Sequence, residues 1–208
     1  MSAGGKSTNQ VFINCPFDEK YKSLLRPLLF TVCYLGFQPQ IASGFLNSAN
    51  NRIDKICDLI RSSKYSIHDL SKCISSKQDE YFRMNMPFEF GIDYGDYFFI
   101  DRNKKMLVLE GKRYDYQKAL SDISGVDVKS HNNEPEGIVK CIRNWIIEAR
   151  ILDKADSPTQ IWYRFNDFAS DFYTERKSQG FSDDDLNDMP TPEYIVSIED
   201  WIIKNVKS

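Results

Sequence analysis

No run of apolar residues in this chain approaches the ~20 that a membrane-spanning helix requires, and no charged-then-apolar leader with a cleavage site opens it. Cysteine is sparse: the five residues Cys15, Cys33, Cys57, Cys73 and Cys141 are odd in number, scattered and without a Cys-x-x-Cys spacing. That pattern fits neither a disulfide framework nor a zinc site, and leaves reduced thiols packed as small apolar side chains. Positive charge is also short. A net charge of −3 and a pI of ≈ 5.5 speak against a protein that coats nucleic acid or an anionic membrane. No internal repeat at a fixed period is present. These absences point to a soluble, cytoplasmic protein with a small-molecule partner, acidic ligands being admitted by local positive charge.

Apolar material is ample. At 208 residues, 41% hydrophobic and 13% aromatic, the chain accommodates one α/β domain of roughly 150 residues and an appendage of about 50. Residues 1–9 are polar and read as a disordered lead. Gly5-Lys6-Ser7 imitates the end of a phosphate-binding loop, but it lacks the upstream glycine and precedes the first strand instead of following it.

Val11-Phe12-Ile13-Asn14 has the content of a short strand. Beyond a turn at Cys15-Pro16-Phe17-Asp18, Leu24, Leu25, Leu28, Leu29, Val32 and Leu35 recur at helical spacing up to Gly36. Pro27 demands a kink there or a start near Ser23. Phe37 to Ala42 reads as a second strand, and Ser48 or Asn50 can cap a helix carrying Ile53, Ile56, Leu59 and Ile60. The third strand is Lys64 to His68, followed by a polar loop of roughly 13 residues and the helix containing Glu89. Then come a strand Lys105 to Leu109, a short helix Tyr116 to Ile123, a fifth strand Val126 to Ser130 and an amphipathic helix Glu136 to Ile151.

Strands alternating with helices imply a flavodoxin-like, doubly wound parallel sheet of five strands in the order 2-1-3-4-5. This α/β domain spans 10–152, after the lead 1–9. Residues 153–208 form a C-terminal helical extension: an aromatic helix Pro158 to Gln179, an acidic turn Asp183-Asp184-Asp185, and a last helix from about Thr191. The acidic triplet reads as a solvated helix start, with no metal. The aromatic helices offer a dimer face or a lid over the crevice.

Ligands in such sheets bind beyond the carboxyl ends of strands 1 and 3. Two acids are delivered there. Glu89 sits in the apolar run Met86-Pro87-Phe88-Glu89-Phe90-Gly91, and Asp69 ends Tyr65-Ser66-Ile67-His68-Asp69-Leu70-Ser71. Charges rarely stay buried without a partner or a task. Glu89 is either a helix-end charge serving the macrodipole, or a nucleophile or oxocarbenium stabiliser for a sugar-to-base bond. Asp69 is either a turn or capping residue, or an acid that holds a sugar hydroxyl or protonates a leaving base. His68 points to the face opposite Asp69 and reads as structural, as does His131. Asn14, Phe17 and Tyr21 line the crevice with Ser71, Asn85 and Met86. Cys15 lies at its edge, where packing competes with a binding role. Arg83 is a cation near Glu89 in sequence that can equally pair with Glu80.

The blocks Val11 to Asp18, Tyr65 to Ser71 and Asn85 to Gly91 together resemble a bacterial branch of the nucleoside 2-deoxyribosyltransferase-like group, akin to Toll/interleukin-1 receptor (TIR) domains. The resemblance covers roughly residues 10 to 150. It implies that Glu89 is the nucleophile at the anomeric carbon, that Asp69 supports it, and that Asn14 to Phe17 line the sugar and base. The implied activity is an N-glycosidase or glycosyltransferase acting on a nucleoside, nucleotide or NAD, without a cofactor, in some relatives as an antiviral defence effector. A nucleotide-sensing module that hydrolyses nothing, or a TIR-like adaptor, is the alternative, and a homo-oligomer is expected. One departure stands out: relatives that act on nucleotides tend to carry small residues before the Glu, whereas this chain has Met86-Pro87-Phe88, and Pro87 offers no amide to a phosphate.

Overall fold

A computed structural model describes residues 7–42, 51–72, 84–118, 120–123, 126 and 128–206. Five parallel strands form one sheet in the order 2-1-3-4-5: β1 (Ser7–Asn14), β2 (Gln38–Gln40), β3 (Ser63–Asp69), β4 (Lys105–Glu110) and β5 (Val128–Ser130). Helices α1 (Lys22–Tyr34), α2 (Arg52–Ser62), α3 (Asn85–Phe99) and α4 (Pro135–Glu148) cover it, and α5 (Pro158–Ser178), α6 (Asp183–Asn187) and α7 (Thr191–Asn205) follow. The flavodoxin-like α/β fold is therefore as the pattern predicts.

The two-residue period of the strands sorts side chains between the layers. Val11, Ile13, Tyr65, Ile67, Leu107 and Leu109 join the core beneath α1 and α4. Phe12 packs with Ile56 and Ile60 of α2, and Val108 with Met86 and Phe90 of α3. Asp69 shares parity with Ile67, and His68 points to the other face. Pro27 lies inside α1, where Thr31 Oγ1 donates to the Pro27 carbonyl (2.7 Å).

Some boundaries differ from the sequence reading. β1 begins at Ser7, paired with Ser63, so residues 7–9 of the expected disordered lead are strand; ladder bonds come from the backbone and do not need apolar side chains. The expected helix Tyr116 to Ile123 is two single turns, Tyr116–Lys118 and Ser121–Ile123, because so short and polar a segment gains little from propagating a helix. Asn51 caps α2 by accepting from the Ile53 N–H; Ser48, Asn50, Cys73, Glu80 and Arg83 lie outside the described residues.

The C-terminal helices pack onto the α/β domain. Their apolar face shares one continuous core with α1 and α4. Phe30 of α1 sits with its ring centroid 5.6 Å from Phe165, 5.5 Å from Phe168 and 5.9 Å from Trp201. Ile161, Phe168, Ile198 and Ile202 are buried within the chain, so this aromatic face packs on α1. The acidic triplet opens α6, where Ser182 and Asp185 form a reciprocal cap.

Candidate functional site

The carboxyl edge of β1 and β3 gathers two buried polar networks, one on each face of the sheet. On the α2/α3 face, the Asn14 amide donates to His68 Nδ1 (3.1 Å) and to the Met86 carbonyl (2.8 Å). An amide nitrogen only donates, so His68 Nδ1 accepts and its ring hydrogen sits on Nε2. That hydrogen faces Asp93 Oδ2 at 2.7 Å. Lys104 Nζ pairs with Asp93 Oδ1, donates to the Ile60 carbonyl (2.7 Å) and lies 3.5 Å from Asp96 Oδ2. Burial alone would push the Asp93 carboxyl up; the His68 hydrogen bond and the Lys104 charge overcome it and hold the group at about 2. Through Asn14 and Met86, this chain of contacts fixes the first turn of α3, which carries Glu89.

On the α1/α4 face, Asp69 is fully enclosed and accepts three hydrogen bonds. Tyr21 Oη donates to Oδ2 (2.5 Å), His131 Nε2 to the same oxygen (3.1 Å), and the Ser71 N–H to Oδ1 (2.8 Å). The Asn133 N–H donates to His131 Nδ1 (3.1 Å), which again puts the ring hydrogen on Nε2. Burial raises the Asp69 carboxyl, but the bonds from His131, Tyr21 and Ser71 prevail and leave it lowered. Tyr21 moves the other way, raised well above the ordinary phenol value by burial and by the Asp69 charge. Asp69 is thus a held anion, suited to positioning Tyr21 and His131 and unsuited to donating a proton.

Two glycines make this second network possible. A Cβ on Gly137, in the first turn of α4, would lie 2.4 Å from the His131 carbonyl oxygen. One on Gly111, just after β4, would lie 2.7 Å from Asn133 Oδ1 and 3.2 Å from Ser71 Cβ.

Glu89 is different in kind. It is 6% exposed, and its one ion pair among the described contacts is to Arg52 at 3.5 Å, whose side chain is 61% exposed. Burial raises its carboxyl, and Arg52 offsets this only in part. The Cys15 thiol, buried beside both networks, is raised well above its ordinary value by burial, by Asp69 and by Glu89; it is a packed, protonated thiol within electrostatic reach of both acids.

Of the residues expected at the site, Asn14, Cys15, Tyr21, Asp69, Ser71 and Met86 converge on this edge. Glu89 joins from the opposite face to Asp69, while Phe17 and Asn85 are exposed around it. The Ser71 hydroxyl is enclosed without a hydrogen-bond partner among the described residues. Arg52, His131, Asp93 and Lys104 enter from distant segments. Arg52 gave no sequence signal, but its place at the start of a helix that ends where β3 begins puts it at the same sheet edge as Glu89. In the first turn of α3, Pro87 has no amide hydrogen and the Phe88 N–H is already given to the Met84 carbonyl (2.9 Å), leaving Asn85 and Met86 to face an anion.

No helix among the described residues is long and apolar enough to cross a membrane, and no group of three or more His, Cys, Asp or Glu residues there could hold a metal ion. What fold and edge define is a flavodoxin-like α/β protein with one low-lying and one high-lying carboxylate at its switch point. No family model, curated protein or solved structure matches the chain.

Proposed function

We propose that the protein cleaves the base-to-sugar bond of a nucleoside, nucleotide or NAD, with Glu89 as the reacting carboxylate. The observation that carries this reading is the divergence of the two acids: burial raises Glu89, while three donors lower Asp69. Carboxylates pushed apart in this way are the mark of divided roles. Glu89 attacks the anomeric carbon as the bond to the base breaks; a nucleobase leaves with the bonding electrons and takes a proton from water, whereas nicotinamide leaves neutral and needs none. Water or an acceptor base then releases the sugar from Glu89. The low-lying Asp69 acts as a positioning residue. Substrates of this class are small molecules of the cytoplasm.

The test is purified protein incubated with NAD and a panel of nucleosides and nucleotides, following free base by chromatography. Release from any of them supports the reading, and no release from all of them removes it. Pro87 departs from the pattern expected of nucleotide-cleaving relatives, which leaves as second reading a module that senses a nucleotide without cleaving it. Thermal stabilisation by a ligand that is recovered intact would distinguish it.

A further inference from the structure

Helix α3 carries buried acids and exposed aromatics. At ~100° per residue, Glu89, Asp93 and Asp96 share the face that packs on the sheet and α2, and each is buried against a partner. The opposite arc, roughly 100° wide, carries Met84, Phe88, Gly91, Gly95, Phe98 and Phe99 and no charged residue. Met84 is 64% exposed, Phe88 60%, Phe98 45% and Phe99 83%. A surface helix of a monomer shows the reverse arrangement, and a contiguous exposed apolar strip marks an interaction surface.

The glycines are a second anomaly. Neither has a left-handed backbone, and a Cβ on either would meet nothing within 4 Å. Among the described residues nothing demands glycine at these positions, and alanine would favour the helix.

We infer that this face of α3 seats a second copy of the same chain, paired antiparallel about a two-fold axis near Ile92 and Asp93. The order Phe88, Gly91, Gly95, Phe98-Phe99 reads alike in both directions, as a self-complementary surface must. The axis brings glycine against glycine, so the two backbones approach closely, and sets Phe88 against the aromatic end of the other helix. An arc without charge meets itself without repulsion; Arg102, stacked 3.9 Å over the Phe98 ring, marks its border. Met84, Phe88, Phe98 and Phe99 expose about 500 Å² per copy at ~200 Å² for each large side chain, so two copies reach the ~1,000 Å² in total that a specific interface needs. An unrelated partner would have no need of the symmetric order.

The test is sedimentation of the full chain over a concentration series reaching about 100 μM. The wild type is expected to dimerise, Phe99→Glu to weaken the dimer at least tenfold, and Gly95→Ala to weaken it without lowering the melting temperature. Should Phe99→Glu lose its fold, Gly95→Ala decides. A wild type that stays monomeric throughout overturns the inference, even if it binds a vesicle or a foreign protein. So does a dimer that neither substitution disturbs. The outcome is independent of whether any base is released.

Discussion

Replacing Asp93 by Asn preserves shape while removing the charge that His68 and Lys104 share. The folded carboxyl lies at about 2 against an ordinary 3.8, and at 1.36 kcal/mol per unit this amounts to about 2–3 kcal/mol in favour of the ionised folded state. Because the folded value is depressed, that stability is complete above the unfolded value of 3.8 and drains away as pH falls toward 2. The substitution also strands the fully enclosed Lys104 with the Ile60 carbonyl at 2.7 Å and Asp96 at 3.5 Å, so the cost at neutral pH is larger, about 3–5 kcal/mol. Urea unfolding of wild type and Asp93→Asn at pH 7, 5 and 3 measures both. The gap is expected to hold from pH 7 to 5 and to narrow by about 1 kcal/mol between pH 5 and 3. A gap that stays constant down to pH 3 would refute the claim that Asp93 is held as an anion.

Four further substitutions probe the neighbouring contacts. Arg52→Gln removes the charge that restrains Glu89, so its carboxyl should rise further and the acid limb of the base-release profile should move to higher pH; carbon NMR of the Glu89 carboxyl checks the same shift directly. Gly137→Ala should cost about 1–3 kcal/mol in urea unfolding, because its Cβ meets the His131 backbone. Gly111→Ala should cost less, since the nearest atom there is the movable end of Asn133. Tyr21→Phe removes one of three donors to Asp69 and should destabilise by about 1–3 kcal/mol. With that donor gone the folded Asp69 value moves back up, so the stability it confers should be lost at higher pH in acid unfolding.

The fold was legible because Val11 to Asn14, Tyr65 to His68 and Lys105 to Leu109 are short apolar runs divided by helical periods, and such alternation admits few topologies. Asp69 and Glu89 stood out for a related reason, as acids beside apolar residues at strand and helix ends. What stayed hidden depends on pairing at a distance. His131 lies 62 residues from the Asp69 it orients, and nothing in its neighbours announces that. Asp93 and Asp96 look like solvent-facing helix charges until Lys104 and His68 are brought beneath them. The aromatic residues of α5 and α7 suggested a free surface because their period cannot say which element they cover. An exposed apolar face lies on α3, where Phe88 and Phe99 are separated by residues that look like core.

The proposed function stands on Glu89 as the group that reacts. The most direct measurement compares base release by wild type and Glu89→Gln on whichever substrate the wild type cleaves, with circular dichroism showing both folded. The amide keeps the size and the Arg52 contact but cannot attack an anomeric carbon. A fall of ~10³-fold or more is predicted. Turnover within tenfold of wild type would contradict the account.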